Sequence, residues 1–311
     1  MEQFLSIFTD DFFYATIRMA SPIILAALGE VLLERAGIFN LGIEGIMLFG
    51  AFFAVLGSFL TGSAWMGVVF ALLVGVVLGL VYAFAVVTIR SNQAVTGTGI
   101  NILAIGLTSL LSRMIWGVQA VPLTVKGIGP LAIPFLSDIP VIGAILFNHS
   151  PLVYLSYIMI GFVYFILYKT SWGLKIRSIG EQPKAADTMG INVIRWKYVM
   201  CMISSMFATL SGAILSLSFM NLFVDNMSGG RGYMAVASVI LGQWNPMGAA
   251  VGGLIFGAGN AIQMRLQAFG VPIPSSLLLV LPMVIALVVV LAVRGSASAR
   301  PSALAKPYFK E

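Results

Sequence analysis

Charge is what this chain has least of. Lysine and arginine number 17 and aspartate and glutamate 11, so charged residues fill 9% of 311 positions, against about 25% in soluble domains. So few charges cannot make a water-facing surface. Cysteine and histidine are scarcer still. Cys201 and His149 stand alone, which excludes a disulfide framework and a cysteine–histidine zinc site. No GxxxxGK(S/T) loop occurs, so ATP cannot bind through a Walker motif, and no HExxH occurs. An Asp-rich metal–diphosphate motif is also missing, which argues against prenyl transfer, and no base is evident for an intramembrane serine hydrolase. The chain is therefore expected to be non-catalytic, with no metal or cofactor of its own. Its net charge of +6 does not point to nucleic acid, because the basic residues follow the loops.

What is abundant is apolar. Hydrophobic residues reach 59% and mean hydropathy is +1.02. Charge-free runs recur at 45–89, 139–168, 198–224, 232–264 and 266–293, each long enough for at least one span and the first for two. The expected fold is an all-α, polytopic membrane helical bundle in a single domain covering 1–311. About eight spans are expected, near 12–33, 43–60, 65–89, 97–118, 151–168, 198–219, 247–265 and 274–293. A shorter piece at 233–243, stopped by Trp244-Asn245-Pro246, crosses or re-enters, and a short interfacial helix is expected at 139–147. The loop 169–197 carries six basic residues against Glu181 and Asp187, and the tail 294–311 carries Arg294, Arg300, Lys306 and Lys310 against Glu311. The positive-inside rule puts both in the cytoplasm. The N-terminus, with Glu2, Asp10 and Asp11, has no basic signal and no cleavage site of the signal-peptide kind, and is expected outside.

Two Gly-rich stretches, QAVTGTGINILAIGL (93–107) and MSGGRGYMAVASVILG (227–242), lead into apolar helices from opposite sides. An inverted repeat of broken helices would look like this, as would two helix-packing segments. The densest polar cluster is GEVLLERAGIFNLGIEG (29–45), with Glu30, Glu34, Arg35, Asn40 and Glu44 in an apolar setting. Ionisable groups at membrane depth are costly and usually pair or line a wet path. The alternative is a cytoplasmic turn in which Arg35 offsets one carboxylate. Asn101, Asn260 and Gln263 could bind a polar solute or join helices. Asp225 and Arg231, flanking Ser-Gly-Gly, read as a pair, and His149 as loop chemistry. On this basis Asn40, Glu44 and Asn101 are the candidates for a solute path.

A chain without its own ATPase needs an outside motor or an ion gradient. GEQPKAADTMGI, within the loop 178–197, carries helix punctuation, Pro183 at a first turn and Gly190 at a C-cap. The helix so bounded, 181–190, is far too short to span a bilayer. It suits a rigid handle for a motor; otherwise it is a solvated loop.

GEVLLERAGIFNLGIEGIMLFGAF, SIGEQPKAADTMGINVIRWKY and GGRGYMAVASVILGQWNPMGA, in this order, resemble the permease subunits of bacterial ATP-binding-cassette importers for nucleosides and simple sugars. The likeness runs from about residue 12 to the tail. It is nearest to the smaller permease of nucleoside systems fed by basic-membrane-lipoprotein-type receptors, within a broader family of ribose-type and branched-chain amino acid permeases. It implies that 181–190 is a coupling helix, with Glu181, Pro183, Ala185, Ala186, Gly190 and Ile191 matching the pattern. It further implies an ATP-binding subunit that uses ATP and Mg and has two fused nucleotide-binding domains. A second permease subunit and an extracytoplasmic nucleoside-binding lipoprotein complete the implied assembly, set in a bacterial cytoplasmic membrane. Sugar or branched-chain amino acid transport, and a stand-alone ion-coupled carrier, are the alternatives.

Overall fold

The structure is a computed structural model that describes residues 10–117, 123–137, 139, 142–269, 274, 277, 280, 282–285, 288 and 300–309. Among the described residues, 7 helices are long and apolar enough to cross a membrane. The spanning helices are α1 (Asp10–Arg35), α2 (Ile43–Thr61), α3 (Ala64–Ala83, extended by a π turn Phe84–Thr88), α4 (Gln93–Trp116), α6 (Pro151–Lys169), α9 (Val193–Ala213, extended by a π segment Ile214–Met220) and α11 (Pro246–Ala268). Shorter helices are α5 (Ile142–Leu146), α7 (Ser171–Glu181), α8 (Pro183–Thr188) and α10 (Arg231–Leu241). A two-stranded antiparallel ribbon, β1 (Leu131–Ala132) with β2 (Asn148–His149), closes the long loop before α6. The span expected at 274–293 lies largely outside the described residues.

Helix α1 is the axis of the bundle, with 83% of its apolar window buried, against 28% for α4 and for α6. It is packed by α11, α9, α10, α6 and α5. Burial alone does not hold helices together in lipid, where the surroundings are as apolar as leucine; close backbone approach does. Glycines supply it here. A Cβ on Gly50 of α2 would stand 2.3 Å from the Thr209 carbonyl oxygen of α9, and one on Gly212 of α9 would stand 1.9 Å from the Met47 carbonyl oxygen of α2.

Two ends of the bundle can be told apart by contact. At one end Arg35 donates to the Trp244 carbonyl oxygen at 2.8 Å. The same end holds α7, α8 and the tail segment 300–309, whose Ala303 N–H donates to Gly180 at 2.9 Å and Ala305 N–H to Gly37 at 3.3 Å. At the other end the Tyr14 ring stacks on His149 at 4.5 Å and Arg113 pairs with Asp225 at 3.7 Å. The two basic segments of the sequence, 169–197 and the described part of the tail, therefore share one face.

The expected helices that fall on described residues are found with shifted ends, but the loop 169–197 differs. It holds two helices, because Thr170 accepts from the Gly173 N–H at 3.3 Å and starts α7 directly after α6. Glu181 is consequently the last residue of α7 rather than the first of the handle. The chain breaks at Gln182, in a non-helical conformation (φ −140°, ψ 80°), before Pro183 opens α8.

Replacement of Gly212 by valine should force α2 and α9 apart and abolish a monodisperse protein in size-exclusion chromatography. Gly99→Ala meets nothing within 4 Å and should leave the elution profile unchanged.

Candidate functional site

Chain breaks inside a bilayer leave backbone groups that only protein can satisfy. Two interruptions of helix meet in this structure, the segment 36–42 between α1 and α2 and the start of α10, both against the Gly-rich first turns of α4. Carboxylates and amides close them. The Asn40 N–H donates to Glu30 Oε1 at 2.8 Å, and Asn40 Oδ1 accepts from the Gly42 N–H at 2.8 Å. Asn101 Oδ1 accepts from the Gly45 N–H at 2.8 Å, while its Nδ2 donates to the Leu41 carbonyl at 2.8 Å and to the Tyr233 hydroxyl at 2.9 Å.

Glu44 joins α2 to α10. Its Oε1 accepts from the Gly230 N–H at 2.7 Å and its Oε2 from the Gly232 N–H at 2.6 Å. A carboxylate at a helix N-terminus satisfies orphan donors and meets the positive end of the helix dipole. Arg231, between these two donors, turns back to the Met227 and Ser228 carbonyls at 3.2 and 3.1 Å. It does not pair with Asp225 as the spacing suggested, because Asp225 lies beside Arg113 at the bundle's end.

Asn40, Glu44 and Asn101 are thus brought together and all are buried. Their oxygens already accept backbone N–H groups. They shape the wall of this region, and the group left facing outward beside them is Tyr233. Sequence reasoning passed over Tyr233, although it lies in the GGRGYM stretch that had been singled out. The sequence's two Gly-rich stretches meet where Asn101 touches it. Asn260 joins α11 to α10 through the Met234 sulfur at 3.7 Å. Glu30 and Glu34 share a face of α1; Glu30 Oε2 accepts from the Ser204 hydroxyl at 3.4 Å, and Glu34 accepts from the Trp244 indole N–H. Arg35 offsets neither carboxylate within hydrogen-bond reach; its guanidinium binds the Gln243 and Trp244 carbonyls at 3.4 and 2.8 Å.

Helix α8 is a rigid stub. Pro183 opens it, and its end is a Schellman motif. The Ile191 N–H donates to Ala186 at 3.1 Å, and the Gly190 N–H donates to Asp187 at 2.9 Å, with Gly190 at φ +82°. Ala186 packs with Ile179 and Val193 beneath the stub, flanked by Ile191 and Tyr308. Ala185 is exposed on the outer side, and Met189 projects at its tip with 82% of its surface exposed. Glu181 binds the tail, accepting from the Ser302 hydroxyl at 2.8 Å. The tail, whose role the sequence left open, spans from α8 to the 36–42 break. Its Phe309 ring lies 4.5 Å from the Arg90 guanidinium.

Among the described residues no group of three or more His, Cys, Asp or Glu side chains could hold a metal ion. At the opposite end the His149 ring lies near the Ile145 carbonyl, 2.9 Å from Nε2, and burial holds its imidazole below the ordinary histidine pKa.

Two outcomes are expected. Glu44→Ala strands the two backbone N–H groups at the start of α10, at about 1–3 kcal/mol each, so hydrogen exchange at 228–234 should speed up sharply in detergent, and less in Glu44→Gln. The folded state binds a proton at His149 less readily than the unfolded chain does. The stability this contributes is present above about pH 6.5 and lost as pH falls. Exchange at 145–154 should accelerate below about pH 6 in the wild type, and His149→Gln should remove that dependence.

Comparison with known proteins agrees with this architecture. The chain is 36% identical over 305 residues, covering 95% of both chains, to the guanosine ABC transporter permease protein NupQ of Bacillus subtilis. It is 34% identical to the nucleoside ABC transporter permease protein NupC of Lactococcus lactis, over 94% of both chains. It is 37% identical to the putative glucose ABC transporter permease protein TsgC13 of Haloferax volcanii, over 82% of this chain and 77% of the relative. No solved structure matches it. The family model for the permease component of branched-chain amino acid transport systems matches residues 12–290, and the chain belongs to that family of multi-pass membrane permeases.

Proposed function

We propose that this chain is one of two permease subunits of an ATP-driven importer for nucleosides, and that it performs no chemistry itself. ATP and Mg are bound and hydrolysed in a separate ATP-binding subunit with two fused nucleotide-binding domains. An extracytoplasmic nucleoside-binding lipoprotein delivers the solute, in a bacterial cytoplasmic membrane. The observation that carries this reading is α8, a six-residue helix opened by Pro183 and stopped by a Schellman turn. Its tip is the exposed Met189, and its base is joined to the 36–42 break through the tail. A solvated loop needs no such bracing; a handle does. Glu181, Pro183, Ala185, Ala186, Gly190 and Ile191 form the coupling element, with Glu181 acting at its base.

The face with α8 and the tail is the cytoplasmic one, with the N-terminus outside, in keeping with the basic residues gathered there. The substrate class is supported by relatives named for guanosine and nucleosides. A relative named for glucose, 37% identical over 82% of this chain, favours a sugar as the second reading. An ion-coupled carrier draws no support from Glu44, whose two oxygens are engaged with backbone. Asn40, Glu44 and Asn101 wall the solute path where the breaks meet, and the path itself runs between this subunit and its partner permease.

Reconstituted with its partners in proteoliposomes, the chain should support uptake of labelled uridine that requires ATP, with excess unlabelled guanosine competing and excess ribose or leucine not. Deletion of 183–189 should abolish uptake without preventing membrane insertion. Uptake by the chain alone, driven by a proton or sodium gradient, would contradict the proposal.

A further inference from the structure

Tyr233 occupies the first turn of α10 and keeps 46% of its surface exposed. Its hydroxyl meets Asn101, which is eight residues, or about 12 Å, along α4 from Gln93 and so inside the apolar span. The Asn101 amide cannot reverse, because Oδ1 must accept the Gly45 N–H at 2.8 Å while Nδ2 serves the Leu41 carbonyl at 2.8 Å. Its second amide hydrogen is therefore aimed at the Tyr233 oxygen, at 2.9 Å. The tyrosine is held as an acceptor, and its own proton finds no acceptor among the described residues. The backbone beneath it is fixed as well, since Glu44 clamps the N–H groups of Gly230 and Gly232 on either side of Arg231.

A phenol ring with a donor left over is poorly suited to face lipid at this depth, where an unpaired polar hydrogen is costly. The neighbouring surface of α4 mixes small and polar positions with the exposed Val95 and Ile102. Thr98 is exposed, and a Cβ added at Gly99 would meet nothing within 4 Å. With 46% of its surface exposed, the ring can receive a flat molecule on its open side. A nucleobase has a π-face for the ring and acceptor nitrogens or oxygens at its edge for the hydroxyl. Stacking of this kind tolerates any base.

We infer that Tyr233 is the residue of this subunit that touches the solute, its ring stacking on the nucleobase and its hydroxyl donating to a base-edge acceptor. This rests on the nucleoside reading and adds the base, rather than the ribose, as the part recognised inside the membrane. Asn101 and Glu44 are positioning residues that aim the ring.

The test uses the complete reconstituted transporter, with both permeases, the ATP-binding subunit and the receptor. 4-Thiouridine, irradiated during turnover, should crosslink to a peptide containing Tyr233. Tyr233→Leu should lower uridine and guanosine uptake by roughly tenfold to a hundredfold, the worth of one base–aromatic stack, in a complex purified at wild-type yield. Tyr233→Phe keeps the ring and should lose only a few-fold. Crosslinks confined to the partner permease or the receptor, or wild-type uptake by Tyr233→Leu, would overturn the inference while leaving nucleoside transport standing. A wild-type complex that takes up glucose and no nucleoside would overturn both.

Discussion

A helix interrupted inside a bilayer must hand its freed backbone groups to other protein atoms, because lipid offers none. The core of this structure answers that demand. The Glu44 carboxylate receives two N–H groups from the start of α10, and Asn101 receives the Gly45 N–H at the start of α2. Asn40 and Glu30 close the segment between α1 and α2 in the same way. A carboxyl side chain buried in the bundle is tolerable because it serves as a cap. These few residues let two helices begin inside the protein, and that is where a polar face can open toward a path.

The remainder of the bundle keeps this joint in place. Glycines bring α2 and α9 into backbone contact, and α1 runs through the middle with its apolar surface almost wholly covered. At the end of α1 the break reaches Gly37, whose carbonyl the tail engages through Ala305. The tail also holds Gly180 and Glu181, directly before α8. A short chain of hydrogen bonds therefore links the surface stub to the joint. A displacement of α8 has a physical route to the region where Tyr233 faces outward.

Much of this was legible in the sequence, for reasons that differ by residue. Apolar runs of the right length showed the spans, since bilayer thickness fixes that length. Pro183 and Gly190 marked α8 because their backbone limits are local. The cluster at 29–45 stood out because carboxylates are rare in apolar stretches. Its partners did not, since Glu44 reaches 186 and 188 residues along the chain and no local pattern carries such a separation. For the same reason Arg231 was matched to nearby Asp225 instead of to the carbonyls behind it. Helix α7 was hidden because its polar, basic composition reads as loop, and the tail because its role lies in contacts with Gly37 and Gly180. Tyr233 gave one signal, a tyrosine in a Gly-rich helix start, which acquires meaning only beside Asn101.

The central claim is that α8, the tail and the 36–42 break form one mechanical unit anchored to the Glu44 joint. Structures of the assembled transporter in nucleotide-free and ATP-bound states test it most directly. The account predicts that α8, 300–309 and 36–42 shift together against α3 and α6, with the Glu44 contacts to Gly230 and Gly232 kept in both states. Movement of α8 alone, with the tail and the 36–42 segment left where they were, would contradict it.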